Sequence, residues 1–292
     1  MNLRSPKAPA ASQHNRRAFT LIELMIAIVI ILILLGLLIP AIGAVRLRAQ
    51  QANVRTEISN LEAAITSFKA DFGMDPPSSI TLYEAASGWS GDQRSKSLIR
   101  KMWPQFNFTI DRDINNNGDL TEVFDLNAGE CLVFFLGGVW DATGKTPNGF
   151  SKNPANPFAV GTGGTNRQGP YFEFDAGRFT DIDSDNAAEY KDSFPSQQLP
   201  YMYFSSYDGR GYRSSEFPDI PSLSLKIDNV YHIGVPGDPL GPAYKPKSYQ
   251  IISPGADFQF GTGGNYDPDK NLPAGRSVEA DNITNFTNGS LK

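Results

Sequence analysis

The sequence predicts an α+β protein in which one long N-terminal α-helix precedes a loop-rich head. Three observations lead to this fold class. A run of 22 uncharged residues extends from Leu24 to Val45, and a bilayer-spanning helix needs about 20 apolar residues. An apolar stripe at helical spacing follows that run. Short strand-like segments between Gly- and Pro-rich loops make up the rest of the chain.

A basic segment, residues 1–18, precedes the apolar run and contains no acidic residue. This order is typical of an export signal whose N-terminus stays in the cytoplasm. In an ordinary secretory signal a small residue follows the apolar run, whereas here Ala18 precedes it. Glu23 lies inside the apolar stretch, and an ionisable group costs about 2.5–3.5 kcal/mol at the centre of a membrane helix and less near its end. Two interpretations stay open: an anchor with a snorkelling glutamate, or a cationic partner for Glu23 within the membrane.

The segment from Arg16 to Leu24, Arg-Arg-Ala-Phe-Thr-Leu-Ile-Glu-Leu, resembles the processing site of type IV pilins and type II secretion pseudopilins. The resemblance implies that a prepilin peptidase cuts between Ala18 and Phe19 and methylates the new N-terminal Phe19. It also implies that Glu23 pairs with the Phe19 amine of a neighbouring subunit during assembly. Pro40 falls where the family commonly has a helix-bending proline. The residue before the cut is usually Gly in this family, so Ala18 departs from the pattern.

A second helical segment follows the apolar run. Its apolar residues recur at spacings of three and four and form one stripe: Val54, Ile58, Leu61, Ile65, Phe68 and Phe72. Gly73 is a natural stop after the last of them. We therefore predict one helix from Phe19 to Phe72, bent or loosened at Pro40, whose outer half packs on a sheet. The predicted organisation is a leader (1–18), a transmembrane and assembly helix (19–45), the amphipathic half of the helix (46–75) and a globular head (76–292).

Within the head, the sequence predicts short elements. Residues 92–106 have apolar residues at spacing four and predict a second helix. The apolar run 131–136 fits either a buried strand or a buried helix turn, and Cys131 within it is interpreted as an inert core thiol. Strand-like runs lie at residues 171–174, 201–204, 230–235 and 249–253, and residues 261–275 are predicted to be irregular loop.

Three stretches of the chain are similar to the major pseudopilin of type II secretion: residues 68–76, 192–206 and 248–286. The resemblance implies a pilin-like fold, in which the long helix packs on an antiparallel β-sheet, here with an enlarged loop-rich head. In that family the C-terminal loop holds a calcium ion. Carried over by position, Asp257 and Asp281 are candidate ligands and Asp267 is a weaker one.

Two further acidic segments have the spacing of EF-hand calcium loops, which place oxygen ligands at positions 1, 3, 5, 7, 9 and 12. The first fits positions 1, 3 and 5 with Asp113, Asn115 and Asn117. Its position 12 is not acidic, so Glu122 or Asp125 would have to substitute. An acidic, solvated turn is the alternative interpretation.

The second acidic segment fits positions 1, 3, 5, 9 and 12 with the following residues: Asp181, Asp183, Asp185, Glu189 and Asp192. Asn186 stands where EF-hands have Gly, and Asn tolerates the left-handed conformation that this position needs. A solvated turn is again the alternative. Because a single Cys excludes an intrachain disulfide, structural Ca²⁺ would be a sensible stabiliser of an exported, loop-rich head.

The overall composition argues against several classes of function. A formal net charge of −5 and a pI of about 5.1 disfavour non-specific nucleic-acid binding, which needs a basic face. Two His residues leave little for a His-based catalytic or metal site. His232 alternates with apolar residues and is interpreted as a structural strand residue. No nucleophile–base arrangement stands out, so we do not expect an enzyme.

The resemblance implies a structural subunit that assembles into a periplasmic filament of a type II secretion system after prepilin peptidase processing. Its partners would be further copies of itself, the inner-membrane assembly platform and the minor pseudopilins. The chain would cross the inner membrane once, with its N-terminus cytoplasmic and its head periplasmic. The alternatives are a type IV pilus subunit, whose filament is extracellular, and a single-span, calcium-dependent binding module that never polymerises.

Overall fold

The computed structural model describes residues 20–141, 144, 146–160, 166–220, 223 and 225–291, without the side chain of Pro40. The chain divides into two compact units, Met1–Leu47 and Arg48–Lys292. Ala18 and Phe19, the predicted processing residues, lie outside the described residues.

The first element is a long α-helix, α1, from Leu21 to Phe72. Its helical assignment continues through Pro40, which has no N–H to donate to the carbonyl of Gly36. A bend at this proline stays a prediction. The predicted end of the helix is confirmed: Gly73 has a φ of 71°, and its N–H donates to the Lys69 carbonyl at 2.8 Å. Gly adopts this left-handed conformation without the penalty that a Cβ would bring.

The head is built from short elements joined by loops and 3₁₀ turns. In chain order they are β1 Ser79–Tyr83, α2 Gln93–Met102, β2 Val123–Asn127, α3 Ala128–Gly137, β3 Phe150–Ser151, β4 Arg167–Gln168, β5 Phe179–Thr180, β6 Glu189–Tyr190, β7 Met202–Ser205, β8 Asp219–Ile220, β9 Leu225–Lys226, β10 Tyr231–Ile233, β11 Tyr249–Ser253, β12 Gly264–Tyr266 and β13 Ile283–Thr284. Strands β13, β11 and β7 form an antiparallel sheet in that order. The remaining strands form pairs, all antiparallel except β10 with β12.

The apolar stripe of α1 is buried, as its spacing predicts, and it lies in the main core of the head. The same core contains side chains from the three-stranded sheet and from α3, including Ile251, Ile283 and Phe135. The ring of Phe68 packs edge-on against Phe135 at a centroid distance of 5.8 Å. Helix and antiparallel sheet therefore share one core, which gives the predicted α+β class.

Several predicted elements differ in the structure. The apolar run 131–136 is helical and belongs to α3. The predicted strand at residues 171–174 is wrong: the N–H groups of Tyr171 and Phe172 both donate to the Leu136 carbonyl at the end of α3. The predicted helix at 92–106 ends at Met102 because Pro104 disfavours helical backbone in the residue before it. Within the predicted loop 261–275, β12 forms because it pairs with β10.

A partly buried ion pair fastens α1 to the turn before β5. The Arg178 guanidinium donates two hydrogen bonds of 2.6 Å to the two carboxylate oxygens of Glu57, and the Tyr201 hydroxyl donates a third at 2.6 Å. Arg178 also lies over the ring of Tyr190 at 4.3 Å. The side chains of Arg178 and Glu57 are 22% and 14% exposed, so water screens this pair less than a surface pair.

We expect Glu57→Gln to lower the free energy of unfolding by about 2 kcal/mol, because it leaves the half-buried Arg178 charge without its carboxylate. The measurement is urea denaturation of the full chain in detergent, followed by tryptophan fluorescence. Asp228→Asn is the matched control: its partner Lys226 and Asp228 are 60% and 51% exposed, and we expect a change within about 0.5 kcal/mol. Equal effects of the two substitutions would contradict the assigned role of Glu57.

Candidate functional site

The N-terminus of α1 is closed by a reciprocal pair of hydrogen bonds between Thr20 and Glu23. The Thr20 backbone N–H and hydroxyl both donate to Glu23 Oε2 at 2.8 Å. The Glu23 N–H donates to Thr20 Oγ1 at 3.3 Å. This is a capping box, which satisfies N–H groups that have no partner in the first turn of a helix. The sequence signal was present as Thr-x-x-Glu before an apolar run, but Glu23 is interpreted at the sequence level either as a snorkelling residue or as a partner for a cation within the membrane, and not as a helix cap.

The apolar residues that follow Glu23 are exposed. Large hydrophobic side chains from Leu21 to Leu47 are 40–78% exposed. Helix α1 contains a segment that is long and apolar enough to cross a membrane. Since contiguous apolar surface of this extent is unfavourable in water, lipid or other helices must cover it.

The second EF-hand-like segment forms a tight loop around Asp181. This carboxylate accepts hydrogen bonds from the backbone N–H groups of Ser184, Asp185 and Asn186 at 2.7, 3.3 and 3.1 Å. Asn186 has a φ of 69°, the left-handed conformation for which Asn is suited. Asp181 therefore acts as the acceptor that shapes the loop.

Asp183 and Asp185 lie close to Glu130, a residue that the EF-hand spacing does not include. Carboxylate oxygens of Glu130, Asp183 and Asp185 lie within 4.8 Å of one another. Glu130 stands in the first turn of α3, where its Oε2 accepts the Asn127 N–H at 2.7 Å. The available signal was that Glu130 is an acidic residue next to the apolar run 131–136. Because Glu130 is far from the 181–189 loop along the chain, the sequence does not indicate that the two are in contact.

Glu130 and Glu189 are buried carboxyl groups, 1% and 4% exposed. Burial is the main cause that raises the pKa of Glu130 to about 9, and the charges of Asp185 and Glu189 act in the same direction. Burial likewise raises the pKa of Glu189 to about 8, with further contributions from Asp183 and Asp181. Carboxyl groups are thus concentrated where α3 meets the 181–189 loop, and burial without a cation favours the protonated forms of Glu130 and Glu189.

Asp192, the predicted twelfth position of this loop, does not join that group. Its Oδ2 accepts hydrogen bonds from Ser253 Oγ at 2.6 Å and Gln197 Nε2 at 2.9 Å. Its Oδ1 accepts the Phe194 N–H at 2.9 Å. In the structure Asp192 is a buried acceptor that ties the chain after β6 to β11.

The first EF-hand-like segment is closed by protein hydrogen bonds. Asp113 accepts from the backbone N–H groups of Asn117 and Gly118. The side-chain amides of Asn115 and Asn117 donate to Glu122 Oε2 at 2.8 and 2.7 Å. Glu122, expected as a substitute ligand, therefore binds the two amides. Calcium binding by this segment stays a prediction.

The C-terminal loop brings two of its three candidate ligands together. Asp281 Oδ2 accepts the backbone N–H groups of Ala256 and Asp257 at 2.5 and 2.9 Å. Residues 225–291 are all described, and within them Asp257, Asp267 and Asp281 do not form a group of three neighbouring carboxylates. The calcium site implied by the resemblance stays a prediction.

The Gly-rich part of that loop is held by an ion pair instead. Glu279 Oε1 accepts the N–H groups of Thr262 and Gly263 at 3.1 and 3.2 Å. Arg276 pairs with the same carboxylate, with Nη2 2.6 Å from Oε2. A Cβ at Gly261 would lie 2.3 Å from Glu279 Cγ, so the close approach requires Gly.

Two other residues considered at the sequence level have structural contacts. His232 lies on β10, and its Nδ1 donates to the Gly241 carbonyl at 2.7 Å. Cys131 is fully buried, and burial raises the pKa of its thiol.

Comparison with known families identifies one match, to the prokaryotic N-terminal methylation motif, over residues 13–39. No curated protein and no solved structure matches the chain. The motif supports the type IV pilin-like class. It implies prepilin peptidase processing, and with the apolar start of α1 it is consistent with a membrane-anchored pilin. It also favours a structural subunit over an enzyme.

We expect processing to leave Phe19 as an N-methylated first residue, because the resemblance of residues 16–24 to a prepilin processing site implies a cut between Ala18 and Phe19. Mass spectrometry of the N-terminal peptide, from cells with and without an active prepilin peptidase, measures this directly. Ala18→Gly is the matched variant and should be cut at least as completely. Retention of residues 1–18 on both proteins in cells with the active peptidase would contradict the assignment.

Proposed function

We propose that this protein is a pseudopilin of a type II secretion system. In this proposal it waits in the inner membrane with its N-terminus in the cytoplasm and its head in the periplasm. After cleavage, copies stack through their N-terminal helices into a periplasmic filament. The inner-membrane assembly platform and minor pseudopilins are its expected partners.

The observation that carries the proposal is the exposed apolar surface of α1, which begins within the methylation motif and continues to Leu47. A bilayer covers this surface before assembly, and the same surface on neighbouring helices covers it in a filament. The transfer between these environments costs little apolar free energy, because side chains such as Leu34 stay out of water in both.

Glu23 has two compatible roles in this proposal. Within one chain, its carboxylate caps the first turn of α1 and lies at the positive end of the helix dipole. Between chains, the methylated amine of Phe19 in a neighbouring subunit would supply a full positive charge. That pairing would offset the cost of a carboxylate in apolar surroundings and set the axial register of the helices.

The assignment to secretion rests on the residues that end α1. Lys69 binds Asp75 at 2.9 Å beyond the helix end, and the Asp71 carboxylate accepts from Tyr171 and Gln168 at 2.6 and 2.9 Å. Lys69, Asp71 and Asp75 belong to the segment similar to the major pseudopilin, and their contacts attach the helix end to the head. The runner-up is a type IV pilus subunit, supported equally by the methylation motif. A non-polymerising binding module has less support, because a plain anchor needs neither the motif nor Glu23.

Three substitutions separate the two roles of Glu23. Glu23→Gln keeps the capping hydrogen bond and loses the charge, Thr20→Val weakens the cap and keeps the charge, and Glu23→Leu loses both. If charge pairing drives assembly, we expect Glu23→Gln and Glu23→Leu to reduce filament yield at least about tenfold, equivalent to about 1.4 kcal/mol per contact. Thr20→Val should then stay close to wild type.

Filament yield is measured by shearing or by electron microscopy of cells, with membrane-inserted, processed protein quantified in parallel. Normal filaments from Glu23→Gln together with poor filaments from Thr20→Val would assign Glu23 to the cap and refute the pairing role.

Deletion of the gene tests the choice between secretion and pilus. A secretion pseudopilin predicts that exported enzymes accumulate in the periplasm while surface pili stay normal. A pilus subunit predicts loss of surface pili with normal secretion, and that outcome would overturn the proposed subtype. Complementation with the wild-type gene is the control.

A further inference from the structure

We propose that Glu130, Asp183 and Asp185 form a calcium site that fastens the 181–189 loop to the first turn of α3. The ligand set differs from that of an EF-hand, because one carboxylate comes from a helix outside the loop. The site would stabilise the head, and it is independent of whether the chain assembles into a filament.

The spacing of the three carboxylates fits a hard divalent cation. Their oxygens lie within 4.8 Å of one another, and oxygen ligands at 2.3–2.6 Å from Ca²⁺ span up to about 5 Å across the ion. A Mg²⁺ ion holds its ligands at 2.0–2.1 Å in a near-ideal octahedron, which a helix and a loop are less able to supply. The geometry therefore favours Ca²⁺.

A buried ligand atom without a partner is the second observation that supports the site. Glu130 Oε1 is buried and has no hydrogen-bond partner among the residues that the structure describes, although Glu130 Oε2 is satisfied by Asn127. A buried carboxylate oxygen that lacks a partner is costly, and it occurs here beside two further carboxylates. A bound cation would satisfy this oxygen.

Protein cations do not neutralise the group. Among the residues that the structure describes, no Lys or Arg forms an ion pair with Glu130, Asp183, Asp185 or Glu189. By contrast, Arg276 pairs with the buried Glu279 of the C-terminal loop. The dipole of α3 favours negative charge at its N-terminus, but about half an elementary charge does not balance several carboxylates.

Gly129 and Asp181 position the three carboxylates of the proposed site. A Cβ at Gly129 would lie 2.7 Å from the Tyr201 carbonyl and 3.4 Å from Glu189 Cγ, so the absence of a side chain lets β6 approach the start of α3. Asp181 holds the loop closed through backbone N–H groups, which leaves Asp183 and Asp185 to face Glu130.

A small cavity, lined mostly by apolar residues, borders Glu130 but neither Asp183 nor Asp185. It has a volume of about 40 Å³, and Glu130, Asn186 and Asn115 are among its lining residues. This volume exceeds the roughly 10–15 Å³ that one water needs. Water molecules there could complete a coordination shell of six to eight oxygens.

Equilibrium dialysis of the full chain in detergent, stripped with chelator and then given radioactive calcium, tests the site. We expect binding with a dissociation constant of about 10⁻⁴–10⁻³ M, the range of extracellular calcium modules. Glu130→Gln, Asp183→Asn and Asp185→Asn should each remove one equivalent of bound calcium or weaken it at least about tenfold. Glu130→Gln keeps the helix cap, because Gln serves at this position of a capping box.

Terbium luminescence gives a second measurement that reports position. Tb³⁺ replaces Ca²⁺ at oxygen sites and emits when a nearby tryptophan is excited, and Trp140 lines the same cavity as Glu130. We expect sensitised emission that calcium displaces. Asp183→Asn should abolish it, and Trp140→Phe should reduce it while the affinity for calcium stays the same.

Asp113→Asn and Asp257→Asn are the matched controls, since each removes one charge from another acidic loop. Both should retain the calcium equivalent and the terbium emission that Asp183→Asn loses. The proposal is overturned if the wild-type chain binds no calcium up to about 10 mM. It is also overturned if a control variant loses the calcium equivalent while all three variants of the site keep it.

Discussion

Burial of one apolar stripe on the second half of α1 is the constraint on which the head depends. The stripe residues are at most 8% exposed, and the three-stranded sheet and α3 provide side chains to the same core. Many strands of the head are only two or three residues long, and isolated pairs of strands are marginal in water. A long helix with a continuous apolar face gives the elements of the main core a common surface, whereas β9, β10 and β12 contribute Leu225, Tyr231 and Tyr266 to a second apolar cluster. Polar contacts at the edge of α1, such as Glu57 with Arg178, then fix where each loop meets the helix.

The first half of α1 obeys the opposite constraint. Its large apolar residues are exposed and require an external apolar environment. The second half of the same helix instead buries its apolar stripe against the head. Polar groups at the start of such a helix need local partners, because no water is available inside a bilayer. Thr20 and Glu23 satisfy each other there. This self-sufficient start lets the helix form before any neighbour is present.

Features set by local periodicity could be predicted from the sequence, whereas features set by tertiary contacts could not. The stripe from Val54 to Phe72 and the stop at Gly73 follow from helical spacing and glycine conformation, and both are confirmed. The aromatic run at 171–174 has the composition of a strand, but its amides find acceptors at the end of α3. Spacing selected Asp183 and Asp185. Glu130 stands out locally only as an acidic residue beside the apolar run 131–136, and the fold brings it to the loop from more than 50 residues away. Charge and spacing therefore locate acidic loops, and only the fold shows which side chains converge.

The buried Cys131 has a consequence for maturation. It is the single cysteine of the sequence, and its Sγ contacts the Leu126 carbonyl at 3.5 Å in a fully buried environment. Burial disfavours its thiolate, which is the species that attacks disulfides. Once folded, the head would neither require an oxidase or an isomerase nor form mixed disulfides with them. The folded head would then be insensitive to the redox state of the compartment that it enters, and thiol reagents would label only cysteines introduced on its surface.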